Sequence, residues 1–394
     1  MKIYEVGGSV RDRFLDEKAE DMDYVVVGAT EKEFLSKYPG ARKVGKSFPV
    51  FLYKGREYAF ARKEIKTAPG HKGFEINADP GVSLEDDLFR RDLTVNAMAR
   101  DPETGEIVDP FNGMDDLKKG VLRHVSRAFE EDPLRVYRIC RFKARFPDFT
   151  VADETMKLMK KMKDELSDLS VERVWLETEK ALGEKAPHEF FKAMKEVALL
   201  SVHFPEIKKL TEVPPGPEKF HKRENTFEHT MDVMENLPEK HPFLCFAALC
   251  HDLGKGLTPL SEHPHHPGHD KKGVKSVESL SMRLKIPKKF KIAGVLASKY
   301  HMLAKNIREL RPSTAIKMLK DLKLFPFKGV EGFFDLVEAD SREKNMERFF
   351  MKQVISALDV KLPGKYRGKG KKSGEILMQL MVEKYKQLLS NYRN

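Results

Sequence analysis

Cysteine is scarce in this chain of 394 residues: Cys140, Cys245 and Cys250 are the only three. None stands in a C-x-x-C arrangement, so neither a disulfide-stapled scaffold nor a thiolate metal knuckle is expected. They read as small buried apolar residues in a reducing compartment. Long apolar runs are also missing. No stretch approaches the roughly 18 residues that a membrane-spanning helix needs, and Met1-Lys2-Ile3-Tyr4-Glu5 passes straight into strand-like sequence rather than an export signal. A cytoplasmic protein with no membrane partner is the expectation.

Positive charge, by contrast, is plentiful. A formal charge of +11 and a pI near 9.2 favour a polyanionic partner. From Met351 to Asn394 there are ten Lys or Arg against three acids. Within that tail, Leu362-Pro363-Gly364-Lys365-Tyr366-Arg367-Gly368-Lys369-Gly370-Lys371-Lys372 suits phosphate contacts, which are strong, salt-sensitive and indifferent to sequence.

The densest signal lies near the amino terminus. Gly7-Gly8-Ser9-Val10-Arg11-Asp12 precedes Asp21-Met22-Asp23-Tyr24-Val25-Val26-Val27. The aromatic and β-branched run from Tyr24 predicts a strand. Side chains two apart on a strand share a face, so Asp21 and Asp23 are expected to aim their carboxylates at one point. Such oxygens suit one or two Mg²⁺ ions, which activate a hydroxyl and hold a leaving pyrophosphate in line. Gly7 and Gly8 let phosphate approach the backbone, and Ser9 is expected to cap a helix running through Arg11 to Leu15.

Further along come Glu85-Asp86-Asp87-Leu88-Phe89-Arg90-Arg91-Asp92-Leu93-Thr94-Val95-Asn96-Ala97, then Asp109-Pro110-Phe111-Asn112-Gly113, then Glu131-Asp132-Pro133-Leu134-Arg135-Val136-Tyr137-Arg138. With the glycine turn and paired acids, these resemble, in order and spacing, the motifs of bacterial class II tRNA CCA-adding nucleotidyltransferases of the polymerase β superfamily. The resemblance implies a catalytic head that adds CCA to tRNA from CTP and ATP, with Mg²⁺ on Asp21 and Asp23. It also implies that Gly8, Arg11, Arg91, Asp92, Asn96, Asp132, Arg135, Arg138 and Arg141 bind nucleotide, the Asp132 and Arg135 pair standing in for a template. Chemically, arginine forks fit phosphate oxygens, and Asp132 and Arg135, three apart, are expected to share a helix face. Arg62 to Glu75, rich in Gly, Lys and Pro, reads as a mobile loop; in similar enzymes a loop here accompanies the switch from C to A addition. Glu57, on the strand-like Glu57-Tyr58-Ala59-Phe60, is the candidate third carboxylate.

Past residue 112 helical periodicity takes over, with helices expected over Ala128 to Phe146, Ala152 to Leu169 and Val171 to Leu182. Val213-Pro214-Pro215-Gly216-Pro217 cannot continue a helix and is read as a boundary. Histidines then gather: His229 in the helical stretch Thr226 to Leu237, His251-Asp252 after the apolar helix Phe243 to Cys250, and His263, His265, His266 and His269 in the next loop. Imidazoles and carboxylates of this kind can enclose divalent metal, with Asp252 able to bridge two ions. The set resembles the HD phosphohydrolase superfamily, which implies metal ligands at His229, His251, Asp252 and Asp340, and a substrate or second-metal role for His269 and His301. The implied metal is a divalent transition ion such as Ni²⁺, or Mg²⁺; the implied activities are phosphatase, 2′-nucleotidase and 2′,3′-cyclic phosphodiesterase.

The expected fold is α+β: a polymerase-β-like head with a small mixed sheet (1–112), an all-helical neck (113–212), an HD body (217–345) and a basic helical tail (346–394). The expected partners are tRNA, CTP and ATP, with the protein a monomer or homodimer. Two rivals are a bacterial poly(A) polymerase, which shares the head motifs, and an HD nucleotide phosphohydrolase whose head only binds RNA.

Overall fold

The computed structural model describes residues 1–17, 22–45, 49–66, 74–77, 79–217, 223–341, 350 and 353–393. Asp21 and the centre of the Gly-rich segment, residues 67–73, lie outside them. The chain divides into two compact units, Met1–Ser170 and Val171–Asn394. The first carries the sheet and the second is helical, as the sequence led us to expect of a nucleotidyltransferase head followed by a helical body.

In the first unit, β1 (Lys2–Val6) leads through Gly7 into α1 (Gly8–Phe14) and then β2 (Asp23–Val27). After α2 (Glu31–Lys37) come β3 (Arg42–Val44), β4 (Val50–Tyr53) and β5 (Arg56–Phe60). The short strands β8 (Ala99–Arg100) and β9 (Ile107–Val108) complete a sheet of order β3-β4-β5-β2-β1-β8-β9. It is mixed: β2 runs parallel to β5 and antiparallel to β1. The alternation of β2 sends Val25 to a face shared with Val6, Leu88, Ala97 and Ala99. Tyr24 and Val26 meet Phe34, Phe51 and Tyr58 on the other face. The Tyr24 and Tyr58 rings stack at 5.0 Å across the parallel pair. Burying a side chain such as Phe34 or Phe51, both fully enclosed, contributes about 2–3 kcal/mol.

Several expectations need correction. The helix after the glycine pair is capped by Gly7, not Ser9. Gly7 sits at φ +76, a conformation glycine takes without strain, and Ser9, already inside the helix, donates its hydroxyl to the Val6 carbonyl. The stretch read as a loop from Arg62 contains β6 (Lys63–Lys66) and β7 (Phe74–Asn77), paired antiparallel with Lys66 opposite Phe74. Ile65, Phe74 and Ile76 are residue types that favour strands. The helix expected from Ala128 starts at Leu134 as α5 (Leu134–Arg145), because Pro133 tolerates only a helix start. A 3-10 turn, Arg127–Glu131, precedes it. Asp132 and Arg135 therefore do not share a helix face: Asp132 lies before the helix and accepts the Leu134 N–H. The expected helix Ala152 to Leu169 is two, α6 (Asp153–Lys161) and α7 (Lys163–Leu166).

The second unit begins with α8 (Val171–Leu182), α9 (Pro187–Glu196), α10 (Leu200–His203) and α11 (Pro205–Leu210). Then come α12 (Thr226–Glu235), capped by the Asn225 side chain, and the nearly all-apolar α13 (Pro242–Cys250). Next are α14 (His269–Arg283), α15 (Lys288–Lys305), α16 (Pro312–Leu322) and α17 (Gly329–Ser341), and finally a long helix, Lys371–Arg393. Val213–Pro217 lies within this unit. His269 opens α14 rather than lying in the loop before it. All three cysteines are buried and unbridged, and no helix among the described residues is long and apolar enough to cross a membrane.

Burial holds the pKa of His203, at the end of α10, at about 4, aided by nearby Arg283, and His266 is likewise held at about 4 by burial. Both lie below the ordinary value near 6.5, so the folded state favours neutral rings. Their contribution is complete above pH 6.5 and disappears as pH falls towards 4, where the unfolded chain takes up protons that the native one refuses. Thermal melts should show the second unit losing stability across that window. Replacing both His203 and His266 by Gln should flatten the slope.

Candidate nucleotidyl-transfer and metal sites

Strand register places the acidic candidates of the first unit. On β2, Asp23 stands opposite Val6 of β1, the residue before the glycine turn, and opposite Glu57 of β5 on its other side. Paired residues in a sheet project to the same face, so Asp23 and Glu57 present exposed carboxylates side by side at the end of the sheet that carries Gly7 and Gly8. Asp21 lies outside the described residues.

Around that end the arginines are held in a connected network. Arg11 is buried and donates to the Asp12 carboxylate at 2.8 and 2.6 Å and to the Asn96 side-chain oxygen. Its guanidinium lies 5.3 and 5.2 Å from the Phe142 and Phe146 ring centres, within cation–π range. The Asn96 amide donates to Asp92 at 3.1 Å, and Asp92 receives Arg138 at 2.8 and 2.7 Å. Burial alone would raise the Asp92 pKa; Arg138 and the Asn96 hydrogen bond prevail, holding it well below the usual carboxylate range. Arg145 reaches back from α5 to Asp12 at 3.1 Å and Glu17 at 2.9 Å.

A second branch centres on Asp87, which is fully buried on α3 (Leu84–Phe89). It takes Arg90 at 2.6 Å and Arg91 at 3.1 Å. This fixes Arg91 beside the glycine turn: a Cβ on Gly7 would lie 2.9 Å from Arg91 Nη1. Arg135, buried on α5, donates to the backbone carbonyls of Arg90 and Ala128, which couples it to the same segment. Arg141 lies over the Phe142 ring at 4.8 Å. Arg11, Asn96, Asp92 and Arg138 are thus joined by hydrogen bonds, Gly8 lies against Arg11, where a Cβ would come 3.4 Å from Nη2, and Arg91 and Arg135 meet around Asp87 and Arg90, whereas Asp132 is tied to the start of α5. Asp12 and Asp87, which organise the arginines, were not among the expected site residues. For Asp87 the signal was its spacing of three and four from Arg90 and Arg91.

In the second unit the histidines and carboxylates do converge. His229 Nε2 lies 3.4 Å from His251 Nε2, 3.6 Å from Asp252 Oδ2 and 3.2 Å from Asp340 Oδ1; His251 Nε2 is 3.2 Å from Asp252 Oδ2. On the other side of the same carboxylate, His269 and His301 each bring Nε2 to 3.5 Å from Asp252 Oδ1 and 3.3 Å from each other. All six side chains are buried. The two trios, His229-His251-Asp252 and Asp252-His269-His301, each have the spacing of a metal site and share Asp252.

Tautomers bear this out. His251, His269 and His301 donate from Nδ1 to the carbonyls of Ala248, His266 and Ala297 at 2.7, 2.9 and 3.0 Å. When neutral, rings held this way offer their Nε2 lone pairs towards Asp252, as metal ligands require. Asp252 Oδ1 is buried with no hydrogen-bond partner among the described residues, so at His269 and His301 three acceptors face one another and a divalent cation between them would relieve the clash. Burial disfavours charge on both carboxylates, but Lys255 and His251 hold Asp252, and Lys305 and His229 hold Asp340, well below the usual carboxylate range. Burial also opposes the His251 imidazolium, and the Asp252 and Asp340 carboxylates outweigh it, so its pKa is raised; in His301 burial wins and the pKa is lowered. A cleft of about 320 Å³ opens onto Asp252, His269, His301 and Asp340, walled by Pro215, Pro217, Pro264 and Met302.

One glycine is essential to this geometry. A Cβ on Gly254, two residues beyond Asp252, would meet the His269 carbonyl oxygen at 1.8 Å and Gly273 N at 2.5 Å. Gly254→Ala should push the start of α14 away, cost about 1–3 kcal/mol of stability through overpacking, and weaken metal uptake by the His269 trio; calorimetric Mn²⁺ titration and thermal melting together would check this.

Comparison with known proteins bears on the first unit and on the family. Residues 3–123 match the poly A polymerase head domain, and residues 148–210 match the probable RNA and SrmB-binding site of polymerase A. Two proteins named multifunctional CCA protein, from Nitrosococcus oceani and Thioalkalivibrio sulfidiphilus, are each 46% identical to this chain. The first aligns over 88% of it and 86% of its own length, the second over 87% and 85%. The chain belongs to the multifunctional CCA protein family. Among solved structures, a Thermotoga maritima CCA-adding enzyme complexed with tRNA covers 99% of this chain and 90% of its own, at TM-score 0.63 and 22% identity. A CCA-adding enzyme in complex with CTP covers 98% and 90%, at 0.62 and 21%. At that identity these two show a shared fold, and for this family member they corroborate the head followed by helices.

Proposed function

We propose that this chain adds CCA to the 3′ end of tRNA from CTP and ATP, releasing pyrophosphate, and that its second unit hydrolyses phosphate esters at damaged tRNA ends. The observation that carries the first part is the junction of Asp23, the Gly7–Gly8 turn and the arginine network at one end of the sheet. Mg²⁺ held by Asp21 and Asp23, with Glu57 as third carboxylate, would lower the pKa of the attacking hydroxyl and neutralise the leaving group. The tRNA 3′-oxygen forms a bond to the α-phosphorus of CTP or ATP as the bond to pyrophosphate breaks. Gly7 and Gly8 admit the triphosphate to the backbone, Arg91 is braced by Asp87 to meet its oxygens, and Asn96 and Asp92 orient Arg11 and Arg138 around the nucleotide. Asp132 and Arg135 choose the base, and Arg141 lies further along the same helix.

His229, His251, Asp252 and Asp340 would hold one divalent ion, Ni²⁺ or another transition metal or Mg²⁺, which activates water for attack on phosphorus; His269 and His301 serve substrate or a second ion. The division into head, neck, HD body and basic tail, with the tail along the tRNA backbone, completes the reading. The deciding assay gives the protein tRNA truncated at its discriminator base with labelled CTP alone, then CTP and ATP. Two C residues followed by one A support the proposal. Long A tracts without C would identify a poly(A) polymerase instead.

A further inference from the structure

Two lysines stand at the His-Asp cluster, and their surroundings differ. Lys255 Nζ lies 2.7 Å from Asp252 Oδ2 and donates to the Pro215 carbonyl at 2.6 Å; its side chain is 9% exposed. It is committed to holding that carboxylate and the proline segment. Lys305 Nζ lies 2.6 Å from Asp340 Oδ2, and its side chain is 25% exposed. Both lysines line the cleft with His269 and His301, and Lys305 is the more exposed of the two. Its contact with Asp340 is an ion pair to a single oxygen, Oδ2.

Position strengthens the distinction. Lys305 follows His301 by four residues on α15, so the two side chains lie one helical turn apart on the same face. His229 faces Asp340 through Oδ1, whereas Lys305 touches Oδ2, so an ion on the histidine side would not need the oxygen that the lysine holds. An ammonium group has three N–H donors and no acceptor. One carboxylate oxygen does not use them, and the cleft is where the others can point.

We infer that Lys305 is a substrate-binding residue of the hydrolytic cleft, which takes a non-bridging oxygen of the phosphate, monoester or cyclic diester, next to the metal cluster. The inference rests on the metal-site reading above. A purely structural Lys305 that only steadies Asp340 would affect metal affinity and leave phosphate affinity alone.

The test uses the full-length protein, Mn²⁺ as the metal and inorganic phosphate as the probe, both followed by calorimetric titration, together with kinetics on 2′,3′-cyclic AMP. For Lys305→Met, phosphate should bind the Mn²⁺-loaded protein at least 10-fold more weakly, with KM for the cyclic nucleotide raised by a similar factor and Mn²⁺ affinity within 3-fold of wild type. Lys305→Arg should recover most of the phosphate affinity. Unchanged phosphate affinity in Lys305→Met, or a loss confined to Mn²⁺ binding, overturns the inference while sparing the metal reading. A wild-type protein that takes up no Mn²⁺ refutes the metal reading, and the inference falls with it.

Discussion

Asp23→Asn lowers incorporation of CTP and ATP into truncated tRNA by about 10³-fold and leaves phosphate-ester hydrolysis by the second unit within 2-fold of wild type. The substitution keeps shape and backbone pairing, since Asp23 is hydrogen-bonded into the sheet between Val6 and Glu57; what it removes is one negative charge. A neutral amide offers a poor ligand to a hard divalent cation, so the effect falls on kcat while the thermal midpoint stays put. Glu57→Gln, at the neighbouring strand position, should show a smaller loss if Glu57 is the third carboxylate. Labelled-nucleotide incorporation in single turnover measures both. Activity of Asp23→Asn within 10-fold of wild type would show that this carboxylate does not hold the metal, and the transfer mechanism would have to be abandoned.

The opposite pattern is expected of Asp252→Asn. Asp252 serves two trios of ligands at once, Oδ2 towards His229 and His251 and Oδ1 towards His269 and His301. An amide retains one oxygen and turns an N–H₂ towards the other pair, where it would meet Nε2 lone pairs and could bind no metal. Hydrolysis of 2′,3′-cyclic AMP should drop by about 10³-fold, with Mn²⁺ stoichiometry falling in parallel, while CCA addition continues within 2-fold. Lys255, paired to the same carboxylate at 2.7 Å, would lose its counter-charge, so a modest drop in stability accompanies the loss. Hydrolysis surviving in this variant would assign the chemistry elsewhere.

The chemistry-bearing residues were more legible in the sequence than the backbone that holds them. Arg91, Asp92 and Asn96 could be singled out because their segment resembles a family motif; charge pattern alone fits ion pairs within a helix equally well, and Asp87 does pair with Arg90 and Arg91. The histidines could be found because imidazole and carboxylate repeat at the ends of apolar helices. What pattern reading misjudged was local conformation. Ser9 has the chemistry of a cap, but the positive φ of Gly7 starts the helix one residue earlier. Asp132 and Arg135 have helical spacing, but Pro133 between them sets the helix start at Leu134. The pairing of Lys63–Lys66 with Phe74–Asn77 was hidden by the Gly and Pro that stand between them in the sequence. Lys305 escaped notice because its partner Asp340 is far along the chain, and only tertiary packing of α15 against α17 brings the two together.

The single tryptophan, Trp175, lies in α8 with its ring set edge-on to Phe246 and Phe290 at 5.7 and 5.0 Å. Phe246 belongs to the helix that ends at His251. Indole emission is therefore a built-in optical gauge of the second unit alone, silent about the sheet. Followed through a denaturant series beside far-ultraviolet circular dichroism, which sees both units, that emission would disclose without any label whether the two halves come apart together or in turn.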